Sequence, residues 1–231
     1  KEMNLACSIQ QVIEEVLIKL AMNIRQTTGQ KNLCLAGGVA LNCVANGILF
    51  RAKIFENIWI QPAAGDAGGA LGAALVGHHM HHLKERNLIH GKDSMKGSFL
   101  GPDYDSSEIE AELSNFGANF HKLSEVDLIE RVSQDLAEGK AVGWMQGRAE
   151  WGPRALGNRS IIASPEGDDI QRIVNQKIKF REAYRPFAPA VLYEHAEEYF
   201  DLPKKLETVG RPEYAMLSIC SVNEKWRTRL P

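Results

Sequence analysis

The sequence predicts an α/β protein from three observations: short apolar runs that end in glycine turns, helix-period segments between them, and a lapse of periodicity near the middle that separates two such stretches. Ile9, Val12, Ile13, Val16, Leu17, Leu20 and Ile24 recur at three- and four-residue steps, which gives residues 8–26 the pattern of a long helix with one buried face. Residues 32–36 form a short apolar run into Gly37-Gly38, and residues 39–50 suit a helix. A second short strand follows at 58–60, a turn at 62–69, and a tightly packed helix of small residues at 70–83. Between about 90 and 105 glycine, serine and proline take over, so the junction is placed near residue 95 and two domains, 1–94 and 95–231, are expected. Beyond it, 106–116 and 124–138 read as helices, 141–145 as a buried strand feeding a polar loop, and 160–163 as a strand. Residues 168–178 read as a helix, 186–192 as an extended segment and 194–200 as a last helical piece.

At 231 residues, 44% hydrophobic content and a net charge of −2, the chain is an ordinary globular protein, and its balance of charge argues against a whole-molecule binder of polyanions. Cys7, Cys34, Cys43 and Cys220 form no C-x-x-C pair and are expected as reduced core thiols. No apolar run reaches membrane-spanning length and the first residues lack a secretory layout, so a cytoplasmic location is expected. The helical pattern begins almost at residue 1 and Pro231 follows no capping element, so both ends are expected to be cuts in a longer chain.

Four constellations carry chemistry. In Leu35-Ala36-Gly37-Gly38-Val39-Ala40-Leu41-Asn42 two glycines after a strand let a backbone approach a ligand closely, and the helix start beyond them offers N–H groups to an anion such as a nucleotide phosphate. In Gly65-Asp66-Ala67-Gly68-Gly69-Ala70-Leu71-Gly72 one carboxylate stands among residues too small to screen it; Asp66 caps a helix, binds a metal, or does both. From Gln146-Gly147-Arg148 through Glu150 to Gly152-Pro153-Arg154-Ala155-Leu156-Gly157-Asn158-Arg159-Ser160, three arginines spaced by glycine and proline make a pre-shaped loop rather than a helical stripe. Their guanidinium forks suit phosphate oxygens, with Glu150 expected to orient one of them. The run from Asn175 through Lys179, Arg181 and Arg185 to Phe187 is a second basic segment, read as facing a small phosphorylated ligand in preference to single-stranded nucleic acid. His78 to His82 looks like a metal tract but has no carboxylate or cysteine at ligand spacing.

Together with Tyr184-Arg185-Pro186-Phe187-Ala188-Pro189, these segments resemble, in order and separation, the carbamoyltransferase family of NodU, CmcH and TobZ. The resemblance implies that residues 1–94 are the second lobe of an actin-like, RNase-H-like transferase domain and that 95–231 are a YrdC-like domain, truncated here. It implies that ATP and carbamoyl phosphate give carbamoyl-adenylate, and that carbamoyl passes on to a small-molecule or sugar hydroxyl. Arg148 and Arg154 match family positions around the phosphate ligand and are the candidate catalytic residues. Gly37, Gly38 and Asn42 fall on the nucleotide side, and Asp66 matches the metal-ligand aspartate, with Fe(II) the expected ion. Gly152, Pro153, Arg159, Ser160, Asn175, Lys179, Arg181 and Arg185 are the candidate substrate-binding residues.

Two departures bear on activity. The family's H-x-x-x-H metal ligands belong to a first lobe that this sequence lacks, and the family continues past Pro231 with further ligand segments. The isolated chain is therefore expected to be inactive in transfer and impaired in adenylate formation. It is also expected to expose an apolar face where that lobe docks, with homodimers as one consequence. No membrane or nucleic-acid partner is expected. The rival readings are a non-catalytic nucleotide or phosphate module and, with least support, a tRNA-modifying YrdC-like protein.

Overall fold

In the computed structural model, which describes residues 2–87, 93–167, 169–202 and 215–229, helix α1 spans Glu2–Thr28 and is longer at both ends than its apolar periodicity. It stops because Gly29 turns left-handed (φ 67) and Arg25 reaches forward to the carbonyls of Gly29 and Gln30. The periodicity predicts the helix correctly but not its burial. Ala21 is buried, whereas Leu5, Ile9, Val12, Val16 and Leu20 are exposed along one face.

The chain divides into two units, one of Lys1–Phe99, Trp151–Arg154 and Phe200–Ser221, the other of Leu100–Glu150, Ala155–Tyr199 and Val222–Pro231. In the first, β1 (Asn32–Leu35) pairs in parallel with β2 (Asn57–Ile60), Leu35 opposite Ile60. Their crossover is not one helix over 39–50. A 3-10 turn, Gly38–Leu41, ends at Asn42, whose side chain accepts the N–H of Ala45 and starts α2, Cys43–Arg51, as a separate helix. Ala45, Leu49, Phe55, Ile58, Ile60, Ala63 and Leu217 form the core. Asn46 is buried within it and donates to the carbonyls of Ala40 and Leu217, both at 2.8 Å. Helix α3, Asp66–Val76, begins four residues earlier than the small-residue run predicts and passes into a π-turn at Gly77–His81.

In the second unit, α4 (Ser106–Asn115) starts at a reciprocal capping box between Asp105 and Glu108, and α5 (Glu125–Ala137) at the Ser124 side chain. Helix α5 packs on β3 (Ala141–Met145), which runs antiparallel to β4 (Arg159–Ala163), Met145 opposite Arg159. The arginine loop is thus the connection of a hairpin. Strand β3, expected as buried, is half-exposed: among the described residues it pairs with β4 alone, and Gly143 and Met145 are open. The helix expected over 168–178 is shorter: α6 covers Ile170–Ile173 and gives way to a π-turn, Val174–Ile178, closed by Lys179 N–H on the Val174 carbonyl at 2.9 Å. Residue 168 lies outside the described residues. Cys7, Cys34 and Cys220, expected in the core, are exposed, and Cys43 is half-buried. No described helix is long and apolar enough to cross a membrane.

Candidate functional site

Two turns of the first unit, each following a parallel strand, form one wall structure. Gly37 takes φ 98 and ψ 163, a backbone open to glycine and strained for other residues. That conformation aims its N–H at the carbonyl of Ala64, 2.7 Å away, while Gln61 N–H donates to the carbonyl of Leu35 at 3.0 Å. The stitched turns line an open hollow of about 450 Å³, with Gly37, Gly38, Trp59, Gln61, Asp66 and Gly69 among its walls. At Gly68 a Cβ would lie 2.0 Å from the Ala63 carbonyl oxygen, so glycine is required for α3 to approach that turn. Around Gly38 and Gly69, by contrast, a Cβ would meet nothing within 4 Å, and the absent side chains leave room.

Asp66 is exposed and is the first residue of α3; the N-cap is Gly65, with no side-chain cap bond. The reading of Asp66 as a side-chain cap therefore gives way to a carboxylate in the first turn, favoured by the helix dipole and left at the surface. Asn42 is already engaged. Besides capping α2, its amide pairs reciprocally with Gln10 of α1, at 2.8 and 3.2 Å.

Trp151, Gly152, Pro153 and Arg154 belong to this same unit. Trp151 N–H donates to the Ser98 carbonyl at 2.6 Å, and its indole N–H donates to the Ala67 carbonyl at 3.0 Å. Gly152, with φ 131, sits so close to Ala63 that a Cβ would be 3.1 Å from the alanine methyl. Ala63, at 0% exposure, is thereby held between Gly68 and Gly152. The guanidinium of Arg154 donates to the Leu41 carbonyl at 3.3 Å, while its Nε is buried with no partner among the described residues.

The remainder of the arginine loop lies in the second unit and is organised by side chains that turn onto their own backbone. One oxygen of Glu150 accepts the N–H groups of Leu156 (2.7 Å), Asn158 (2.8 Å) and Arg159 (3.2 Å). Glu150 orients the loop's backbone, not an arginine side chain as expected. Burial works against its charge, but the backbone donors prevail and hold its carboxyl below the ordinary glutamate range. Arg159 donates to the carbonyls of Gln146 (2.9 Å), Asn158 (2.8 Å) and Gly147 (3.0 Å). Ser160 Oγ accepts Gly157 N–H at 3.0 Å. Arg148 is exposed, and among the described residues its guanidinium has no hydrogen bond or ion pair.

The second basic run is built around Asn175, which is 0% exposed. Its amide donates to the carbonyls of Ala183 (3.1 Å) and Arg185 (2.8 Å), and its oxygen accepts Arg181 Nε at 2.6 Å. Arg181 also stands 5.0 Å over the Phe187 ring. Lys179 is exposed, and Arg185 is exposed with Glu182 3.8 Å from its Nε. Asn175, Arg181 and Arg185 are thus brought together, with Asn175 as an internal tie and not a surface contact.

Fe(II) does not fit the residues present. Asp66 is the one carboxylate in the hollow's wall, and no group of three or more His, Cys, Asp or Glu among the described residues is placed to hold a metal ion. Sequence reasoning missed Trp59 and Gln61 as walls, Gln10 as the partner of Asn42, and Trp151 as a contact of the first turn of α3. Only Trp151 carried a local signal, a large indole immediately before the Gly152-Pro153 turn.

Residues 1–75 match the family model described as carbamoyltransferase N-terminus, and residues 133–231 the model described as carbamoyltransferase C-terminus. The chain is 49% identical over its whole length to 36% of an uncharacterized protein of Synechocystis sp.. It is 42% identical to nodulation protein NolNO of Sinorhizobium fredii, over 87% of this chain and 29% of that protein. To nodulation protein U of the same organism it is 31% identical, over 95% of this chain and 36% of that protein. The chain spans about a third of the length of these relatives.

Proposed function

Because the chain belongs to the carbamoyltransferase family, we propose that it forms part of an O-carbamoyltransferase acting through an adenylate. ATP, carbamoyl phosphate and water would give carbamoyl-adenylate, pyrophosphate and phosphate. A small-molecule or sugar hydroxyl then takes the carbamoyl group and AMP leaves. In this reading residues 1–94 belong to an actin-like transfer domain and 95–231 to a YrdC-like domain. The observation that carries it is the hollow between two stitched glycine turns, in a chain matching both carbamoyltransferase models.

Each part has a chemical role. Backbone at Gly37 and Gly38 lets a nucleotide approach without side-chain obstruction. Asp66, the one charged residue among the described residues of the hollow's walls, is suited to accept a hydrogen bond from a hydroxyl. Arg154 of the first unit, whose buried Nε has no partner among the described residues, and Arg148 of the second, whose guanidinium has none among them, are each a cation suited to a phosphorylated ligand. Lys179 and Arg185 add exposed positive charge, whereas Arg159 acts by shaping the loop.

Calorimetry with ATP and carbamoyl phosphate tests this on the wild-type chain and on Arg154→Ala. Loss of a charge-assisted contact of about 1.5–3 kcal/mol weakens binding roughly 10- to 100-fold. Heat that depends on ATP in the wild type, and is diminished to that degree in the variant, is the expected result. No ATP-dependent heat in either protein defeats the reading.

A further inference from the structure

Trp151 does not line the hollow, yet it holds one of the turns that does. Its indole N–H donates to the carbonyl of Ala67, the residue after Asp66, across 84 positions of sequence. Its own backbone is fixed at the other end, by the 2.6 Å bond to the Ser98 carbonyl. That carbonyl is aimed by three successive left-handed residues, Lys96, Gly97 and Ser98, with φ 48, 67 and 71, and Ser98 is buried. Positive φ at Lys96 and Ser98 is costly for residues with a Cβ, so this stretch is held by its surroundings. Next to the indole, Gly152 presses on Ala63 from one side and Gly68 meets it from the other. Two residues beyond Gly152, Arg154 donates to Leu41, at the end of the 3-10 turn that begins at Gly38. Residues 151–154 therefore touch both turns of the hollow from behind.

We propose that Trp151 is a positioning residue, whose indole N–H fixes the first turn of α3, Asp66–Gly69, against Ala63 and so sets the shape in which the hollow receives a nucleotide. The proposal rests on the nucleotide reading of the hollow given above. The physical basis is that Ala67, Gly68 and Gly69, in the first turn of α3, carry a methyl group or no side chain with which to tie that turn to its surroundings, and a looser helix start raises the entropy cost of binding. A hydrogen bond from a rigid two-ring side chain supplies what the turn lacks.

The test compares the wild-type chain with Trp151→Phe, which keeps a ring and removes the donor. Hydrogen exchange without ligand is read at the amides of residues 66–72, with helix α5 as internal control. Calorimetry with ATP is run on the same samples. The expected result is faster exchange confined to 66–72 and ATP binding weaker by about 5- to 10-fold, the loss of one hydrogen bond of roughly 1 kcal/mol. Exchange unchanged at 66–72, or raised equally in α5, overturns the proposal. So does equal ATP affinity in the two proteins. A wild-type chain that binds no ATP while the variant still shows exchange confined to 66–72 defeats the nucleotide reading instead, and upholds Trp151 as the residue that holds the turn.

Discussion

The glycine turns of the first unit and the part of the arginine loop that lies in the second are both ligand-like in sequence, but they are built in opposite ways. Gly37 bonds backbone to backbone with Ala64, and Gly68 makes room for the Ala63 carbonyl, so shape comes from absent side chains and Asp66 stays exposed. Between Gln146 and Ser160 the shape comes from charged and polar side chains folded inward. Glu150 gathers three N–H groups, and Arg159 three carbonyls. Charge that is conspicuous in a sequence is therefore not all charge available to a ligand. Of the loop's three arginines, Arg159 is occupied with the loop's own backbone, whereas the Arg148 guanidinium and the Arg154 Nε have no partner among the described residues.

The comparison breaks most readily at Gly68. Gly68→Ala places a Cβ 2.0 Å from a backbone oxygen that cannot swing away, and overpacking of that kind costs about 3 kcal/mol. Gly69→Ala, one residue on, meets nothing within 4 Å and gains helix propensity, up to ~1 kcal/mol in the stabilising direction. Urea unfolding of the pair measures both. Equal stability for the two variants would mean that absent side chains do not shape this turn.

The inward-turned charge breaks at Glu150. Glu150→Gln keeps one acceptor oxygen but removes the charge that three backbone donors converge on, and the expected loss is about 1–3 kcal/mol at neutral pH. Because the folded carboxyl lies below its ordinary range, its contribution is complete above the unfolded pKa of roughly 4.3 and disappears as pH falls through the folded value. Wild type and variant should therefore converge in stability on acidification below about pH 4. A gap that stays constant from pH 7 to pH 3 would place the stabilisation elsewhere than in the charge.

How much of this the sequence could tell follows from the range of each interaction. Gly37-Gly38 and the strands before both turns are legible because they depend on neighbours within a few residues. So are the strands β3 and β4, though not their antiparallel pairing or the exposure of β3. The break at Asn42 was readable in principle from an N-cap residue, but residues 39–50 are apolar enough to mask it. Gln10 meets Asn42 from 32 residues away, and Trp151 meets Ala67 from 84; neither pairing leaves a mark in composition or period. At the site, residue types suggested arginines around a phosphate, but the division between occupied and unoccupied guanidinium groups depends on where the backbone carbonyls of residues 146, 147 and 158 point.

Arg148 gives the smallest change in stability and the sharpest check on that division. Its side chain is exposed and unengaged among the described residues, so Arg148→Ala should shift unfolding by no more than about 0.5 kcal/mol. If the loop's inward charges only build a frame, the outward one is left for a ligand, and the same variant should lose affinity for carbamoyl phosphate in calorimetry. A point charge at an exposed position is screened by salt, so the loss should be largest at low ionic strength and shrink by 0.5 M sodium chloride. Destabilisation of 2 kcal/mol or more with unchanged ligand affinity would reverse the assignment, making Arg148 another member of the frame beside Arg159.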